Sequence, residues 1–510
     1  METERVPDRF RGRVHGVLSC YDRIVISGNL FPLCYAQGAT SYLYRRQILI
    51  FDYTRFAEPL RDQITTAVKA VAQENGVTIE FVTRQTGRKE DRIRQILDTR
   101  GDHPGVVHIL SAMESCPTYQ PWHDKGTGKT FLKAAKGKCL HYYIYSIDPE
   151  LGLCYLRVPT WCPFRLQFYC NGHGWLAQQL KQHGIEFQCA DNAFVSLVDF
   201  DRANALAAQL DIPALHAKLD EVARRYCPVV ESLQLTYRWS IMQAEFATDL
   251  VFKQPDDLRA FYPYLLETLI HAVKPADIAT FLGRKLRGNY QDEMGNRLGN
   301  TRCLGTRIKH TMGAVSIKLY DKFGLLLRTE TTVNDASFFK QYRQVNHRDG
   351  QTSKQWASMR KSIYSLPALR ECLLAANQRY LAFIAAVDTP EVGVQRLHQL
   401  TETKIENQHR YKGFNLLAED DAGLLRLLLR GEFCVTGITN KALRQLLSGK
   451  NSGQISRLLK RLRVYGLIKK VSKHHKYYLT SLGRQVATMA LKLRDMHIIP
   501  TFSYSPLPAA

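Results

Sequence analysis

The final ninety residues constrain this chain most, because their apolar spacing changes from helical to strand-like in a fixed order. Asp421–Arg430 predicts a short amphipathic helix. Thr439–Leu447 predicts a second, opened by the capping pair Thr439–Asn440 and closed near Ser448–Gly449. In Ser452–Tyr465, Ile455, Leu458, Leu459 and Leu462 recur at helical spacing, and Gly466 stops the run. Leu467–Lys470 and Lys476–Leu479 then predict two strands joined by the tip Val471–His475. The order is helix, helix, helix, β-hairpin.

With the apolar side of the third helix turned inward, Gln454, Ser456, Arg457, Lys460, Arg461 and Arg463 face outward. Ser452 is the expected N-cap, and a helix N-terminus can itself face a phosphate. Residues 421–510 hold 16 Lys and Arg against Asp421, Glu432 and Asp495, a net charge of +13. A helix of this kind reads base edges in a major groove while a basic hairpin tip holds phosphates. The pattern resembles the winged-helix fold of the MarR-like regulators over this final fifth of the chain. The expected nucleic-acid contacts are Ser452, Gln454, Ser456, Arg457, Lys460 and Arg461 on the helix, with Lys473, His474, His475 and Lys476 on the wing. Such a module also serves protein interaction or dimerisation, and its charge argues against that use.

The whole chain carries +23, so subtracting the +13 of its end leaves +10 on the first 420 residues. A long polyanion therefore suits it better as a partner than an acidic small molecule. No apolar run approaches the ~20 residues of a membrane span, and Met-Glu-Thr-Glu-Arg at the start lacks a signal-peptide core. The expected location is the cytoplasm, with no membrane partner. Twelve cysteines include no C-x-x-C pair. The densest group, Cys154, Cys162 and Cys170 with His173, has spacings that match no usual zinc pattern, so no zinc is expected. His123-Asp-Lys-Gly-Thr-Gly-Lys-Thr130 ends like a P-loop, but His123 stands where the backbone turn requires glycine. It reads as a surface turn, and no nucleotide is expected.

The expected fold class is α+β and multidomain. A mixed α/β domain spans 1–195, a helical and β-hairpin region 196–388, a linker 389–420, and the winged helix 421–510. Val14–Cys20 and Arg23–Ser27 predict two strands with Asp22 between them. Leu233–Phe252 and Trp356–Val387 predict helices, and Arg284–Thr301 an exposed loop. Trp161–Trp175 interleaves aromatics with Arg165 and Asn171, which suits base stacking or, more commonly, core packing.

Val315–Thr332 predicts a hairpin about the turn Asp321-Lys-Phe-Gly324, with Asp321 opposite Leu325. Val315, Ile317 and Leu319 then share the core face, while Ser316, Lys318 and Tyr320 join Leu326, Arg328 and Glu330 on a polar one. That register sets Lys318 opposite Arg328, unfavourable unless an anion lies between them. Lys318-Leu-Tyr-Asp-Lys322 followed by Leu327-Arg-x-Glu330 resembles the hairpin of replication initiators of rolling-circle plasmids and filamentous phages. The resemblance implies strand nicking with a divalent metal, with Glu330 as a metal ligand and Tyr320 as nucleophile. The family's His-hydrophobic-His metal pair has no counterpart here.

Glu245 and Asp249 stand four apart on the predicted helix, a spacing that can hold Mg2+ or Mn2+ with a third carboxylate such as Asp22 or Glu330, or pair with arginines. Asp22 suits the first carboxylate of an RNase H-like nuclease or a plain turn. The candidate catalytic set is thus Tyr320, Glu330, Arg328, Lys318, Glu245 and Asp249, and the metal set Glu330, Glu245, Asp249 and Asp22. The expected function is that of a mobile-element or replication protein that binds double-stranded DNA and nicks DNA with a divalent metal. The alternatives are a transcriptional regulator without enzyme activity and a protein that binds structured RNA. Single-stranded DNA is a further candidate partner.

Overall fold

The computed structural model describes residues 10, 12–83, 85, 87–286, 290, 292–300, 306–387, 390–447, 449–471 and 475–504. The chain is mixed α/β and divides into two compact units, residues 1–388 and 389–510.

The first unit is built on one large sheet. In chain order its strands are β1 (Val14–Leu30), β2 (Ile79–Phe81), β3 (Gly105–Asp124), β4 (Lys129–Asp148), β5 (Gly152–Pro159), β6 (Leu166–Asn171), β7 (Phe187–Cys189), β8 (Phe194–Leu197), β9 (Tyr237–Phe252), β10 (Met294–Asn300), β11 (Thr306–Met312), β12 (Val315–Lys322) and β13 (Leu326–Val333). Among the described residues β7 and β8 pair only with each other, and the other eleven form one sheet in the order β10-β11-β12-β13-β9-β1-β6-β5-β4-β3-β2. The pairings are antiparallel except that of β2 with β3.

One face carries the main core. Ile24 and Ile26 of β1, Phe246 and Leu250 of β9, Ile317 and Leu319 of β12 and Leu327 of β13 join side chains from helices Tyr53–Glu74, Ile212–Tyr226, Tyr262–Ala272 and Leu366–Val387. Each such fully buried Leu, Ile or Phe contributes roughly 1.5–3 kcal/mol of transfer free energy. The opposite face is covered in patches. Leu18 and Cys20 lie under helices Gly172–Gln182 and Phe200–Ala207, and Val107, Leu110 and Tyr143 lie with Ile93 of helix Lys89–Arg100. Polar side chains of β1, β9, β12 and β13 occupy the same face.

This sheet runs through the boundary expected at 195/196, so both halves share one core. The segment 233–252 is a strand from Tyr237 onward, not a helix. Ala244–Phe252 is buried almost throughout between β1 and β13, and such a strand lacks the alternation that separates it from a buried helix. The two short strands expected about Asp22 are one, β1. Part of the loop expected at 284–301 is the edge strand β10, and Trp356 lies in a strand, the helix starting at Leu366. Lys125–Gly128 forms the turn between β3 and β4, whose register runs to Asp124 opposite Lys129. Within Trp161–Trp175, Phe164 and Phe168 are core residues and Asn171 caps the following helix.

The second unit contains helices Glu419–Leu428, Gly431–Thr436, Asn440–Leu446 and Ser452–Val464, the strands Ile468–Val471 and Lys476–Leu479, and helix Ser481–Lys492. Leu425, Leu428, Leu443, Ile455, Leu459, Leu462 and Leu467 form its core. The stretch expected as a linker holds helix Pro390–Thr401 and the strand pair Lys404–Glu406 and His409–Tyr411. Asn451, not Ser452, is the N-cap of Ser452–Val464, in a reciprocal box with Gln454.

Candidate functional site

The site begins with a register fault. Tyr21 of β1 lies opposite Phe246 of β9, and Arg23 opposite the very next residue, Glu245, so Asp22 is the extra residue of a β-bulge. Bulges re-aim side chains, and this one brings Asp22 to the polar face of β9 and β13. There, alternation sets Glu245 and Asp249 of β9 beside Arg328, Glu330 and Thr332 of β13, and Lys318, Tyr320 and Lys322 of β12 beyond them.

The carboxylates divide into two settings. Oxygens of Asp22, Glu245 and Glu330 lie within 4.8 Å of one another. Asp249 is held apart: Arg328 donates to it through Nε at 2.7 Å and Nη2 at 2.6 Å. Arg328 also donates to the Asn192 carbonyl at 2.8 Å and lies 3.4 Å from Asp22 and 3.1 Å from Nε2 of His173. Asp22 accepts from Asn192 at 2.5 Å and lies 3.0 Å from Nδ1 of His173. Lys322 donates to Asn192. On the outer side Glu330 accepts from Lys318 at 2.5 Å, Tyr320 at 2.7 Å and Thr332 at 3.2 Å, and Lys318 lies 3.7 Å from Glu245.

Burial opposes charge on Asp22, His173, Glu245, Asp249 and Tyr320, and their neighbours either reverse that effect or add to it. For Asp249, burial is the largest single influence and raises the carboxyl, but Arg328 and His173 together overcome it and lower the carboxyl to about 2. Asp22 is lowered likewise, by Arg328 and His173 against burial. For His173, burial and Arg328 oppose charge while Cys20, Asp22 and Asp249 favour it, and the balance lies above the usual histidine range. Glu245 goes the other way: burial, then the neighbouring Glu330, raise its carboxyl despite Lys318. Burial and Glu330 also push the Tyr320 phenol well up, so a phenolate is disfavoured there.

The structure thus gathers Asp22, Glu245, Glu330, Lys318, Tyr320, Arg328 and Asp249 on one face and corrects two expectations. Glu245 and Asp249 share a face because strands alternate, and four residues at about 3.3 Å each separate them far more than a helical turn would. The β12–β13 register is shifted by two. Asp321 lies opposite Leu327, Lys318 opposite Glu330, and Tyr320 opposite Arg328, with Phe323–Leu325 as the loop. An even shift keeps every side chain on its face, but the like-charge opposition of Lys318 and Arg328 becomes an ion pair between Lys318 and Glu330. His173, Asn192 and Lys322 lie outside the catalytic and metal sets that the sequence predicts. Lys322 continues the alternation of Lys318 and Tyr320; a turn placed at Asp321 hid it. His173 and Asn192 arrive through other connections, with no local signal.

In the second unit Arg457, Arg463, Lys469, Lys470, His475 and Lys476 are exposed, and Ser452, Gln454 and Ser456 line the start of the same helix. Two expected contacts are occupied otherwise. Arg461 grips Asp421 at 2.9 and 3.0 Å, donates to the carbonyls of Lys412 and Gly413, and stacks on Phe414. Lys460 pairs with Glu406 at 2.5 Å. Asn440 donates to Ser456 and to the Ser452 carbonyl, tying two helices together. Lys473 and His474 lie outside the described residues. No helix among the described residues is long and apolar enough to cross a membrane.

No family model matches the chain, and no curated protein matches it. Among solved structures it is similar to the class II 3-hydroxy-3-methylglutaryl-CoA reductase from Streptococcus pneumoniae bound to NADPH in open conformations. The identity is 11% over 88% of this chain and 78% of that chain, with a TM-score of 0.17. A likeness that loose carries no argument about fold or function.

Proposed function

We propose that the chain is a nucleic-acid-processing protein of a mobile element or replicon. In this reading residues 421–510 form a winged helix that binds double-stranded DNA, and Asp22, Glu245 and Glu330 hold Mg2+ or Mn2+ for phosphodiester cleavage. The observation that carries it is the convergence of three carboxylates from three strands, their oxygens within 4.8 Å, in a chain of charge +23. Such a donor set suits hard divalent cations, and Glu245, with its raised carboxyl, gains most from one. A bound ion would supply Lewis-acid polarisation of a phosphate oxygen. Tyr320 orients Glu330 through its hydroxyl, and Lys318 balances the acidic pair at the more open edge, where a phosphate would enter. Arg328 and His173 fix Asp22 and Asp249 from behind.

A second reading is favoured by the same network: Lys318, Lys322 and Arg328 already balance much of the acidic charge, as in a structural cluster of a DNA-binding regulator without enzyme activity. Incubation of the pure protein with labelled supercoiled and single-stranded DNA, with Mg2+ or Mn2+ or with EDTA, separates the two. Metal-dependent cleavage lost in Glu330→Gln and Glu245→Gln supports the first. Retarded but intact DNA under every condition leaves the second.

A further inference from the structure

Between β13 and helix Leu366–Val387 the chain forms a separate two-stranded hairpin, β14 (Lys340–Asn346) with β15 (Thr352–Ser358). Among the described residues it joins neither the large sheet nor another strand. Tyr342 and Trp356 are direct cross-strand partners, 58% and 68% exposed, with ring centroids 6.0 Å apart. Two large rings bared side by side offer an apolar, stackable surface that no described residue of the fold covers.

Register fixes what surrounds it. Lys340, Gln344, Lys354 and Ser358 alternate onto the same face as the rings, a lysine on either side of them. Arg343 belongs to the other face and clasps the hairpin's own backbone, donating to the carbonyls of Ser358 and Gln344. Residues 340–361 hold six Lys and Arg against Asp349 alone, a net +5. Only Lys361 among these cations forms a described ion pair, with Asp335.

We propose that this face binds single-stranded nucleic acid, bases stacking on Tyr342 and Trp356 and phosphates held by Lys340 and Lys354. The proposal rests on the reading of the chain as a nucleic-acid protein and adds a second contact surface to it. Exposed rings require exposed base faces, which a duplex hides within its stack, whereas a single strand offers them. The polar residues beside the rings suit base edges and backbone, and the face carries no aliphatic side chain to insert into a bilayer.

The test uses the full chain and fluorescence anisotropy with a labelled unstructured oligothymidine and a labelled duplex. Trp356→Ala and Tyr342→Ala are each expected to weaken single-strand binding at least about 5-fold, and Trp356→Phe to restore most of it. Lys340→Gln should reduce the salt slope by roughly 0.7. Duplex binding should persist in all four variants. Wild-type single-strand affinity in the Trp356→Ala, Tyr342→Ala double variant overturns the proposal, as does an equal loss of duplex binding. Wild-type protein that binds duplex but no single strand overturns it while leaving the proposed function standing. A wild type that binds neither removes both.

Discussion

Arg328 and Asp249 face each other across adjacent strands and close a bidentate pair, 2.7 and 2.6 Å, at 0% and 1% exposure. Water is excluded, so each charge depends on the other for its solvation. Removing one partner leaves the other buried and unpaired, and Arg328→Ala should cost the first unit about 3–5 kcal/mol. Arg328→Lys should recover little, since an ammonium cannot bind both carboxylate oxygens in one plane. Urea denaturation checks this; an unshifted midpoint for Arg328→Ala refutes it.

The same pair sets an acid limit. Asp249 and Asp22 are both held below the ordinary carboxylate value of about 3.9, so the unfolded chain takes up protons first as pH falls. Their stabilisation is complete above the unfolded value and is lost as pH drops from about 4 through the folded values, about 2 for Asp249. Stability measured between pH 5 and pH 2 should fall with a slope that Asp249→Asn flattens. A parallel slope in that variant contradicts the assignment.

Glu245 works with the opposite sign. Its carboxyl is raised by burial and by Glu330, and a divalent cation binds only the ionised form. Mn2+ affinity, followed by electron paramagnetic resonance, should therefore rise with pH above the ordinary glutamate range and then level off. Glu330→Gln and Glu245→Gln should each lower it about 10-fold or more. Affinity unaffected by both variants would remove the metal site.

How far this site could be read in advance follows from the spacing of its parts. The polar face of β12 and β13 was legible because alternation over Lys318–Lys322 and Arg328–Glu330 is a local property. The register was not: it turns on whether the loop is Lys322–Phe323–Gly324 or Phe323–Leu325, a difference no alternation pattern records. The sequence marks Glu245 and Asp249 but predicts a helix for them, since Ala244–Phe252 is apolar enough for a buried one. Asp22 stands out in the sequence as a carboxylate beside two strand-like runs, but the bulge that aims it exists only through pairing with β9, more than two hundred residues away. In the second unit the helices were visible because capping and period are local. The grip of Arg461 on Asp421 was not, because it joins two helices whose approach the core decides.

Tyr320 distinguishes two chemistries. A tyrosine nucleophile must lose its proton, yet this hydroxyl donates to Glu330 at 2.7 Å and burial raises it further. If the carboxylates support cleavage, Tyr320→Phe should keep most of the activity, within about 10-fold, and no covalent protein–DNA adduct should form with wild type. An adduct on denaturing gels, absent only from Tyr320→Phe, would restore the nucleophile.

Arg457 and Arg461 lie four apart on one helix and should behave differently. Arg457 is exposed with no described partner, so Arg457→Gln should leave stability unchanged and reduce the slope of log affinity against log salt by about 0.9 on duplex DNA. Arg461 spends its donors on Asp421 and two carbonyls and its plane on Phe414, so Arg461→Gln should destabilise the second unit by about 2 kcal/mol. Any loss of DNA affinity in that variant should follow unfolding and vanish at low temperature, where the unit stays folded. An Arg461→Gln protein with a wild-type melting curve and a reduced salt slope would show instead that the guanidinium leaves Asp421 for a phosphate.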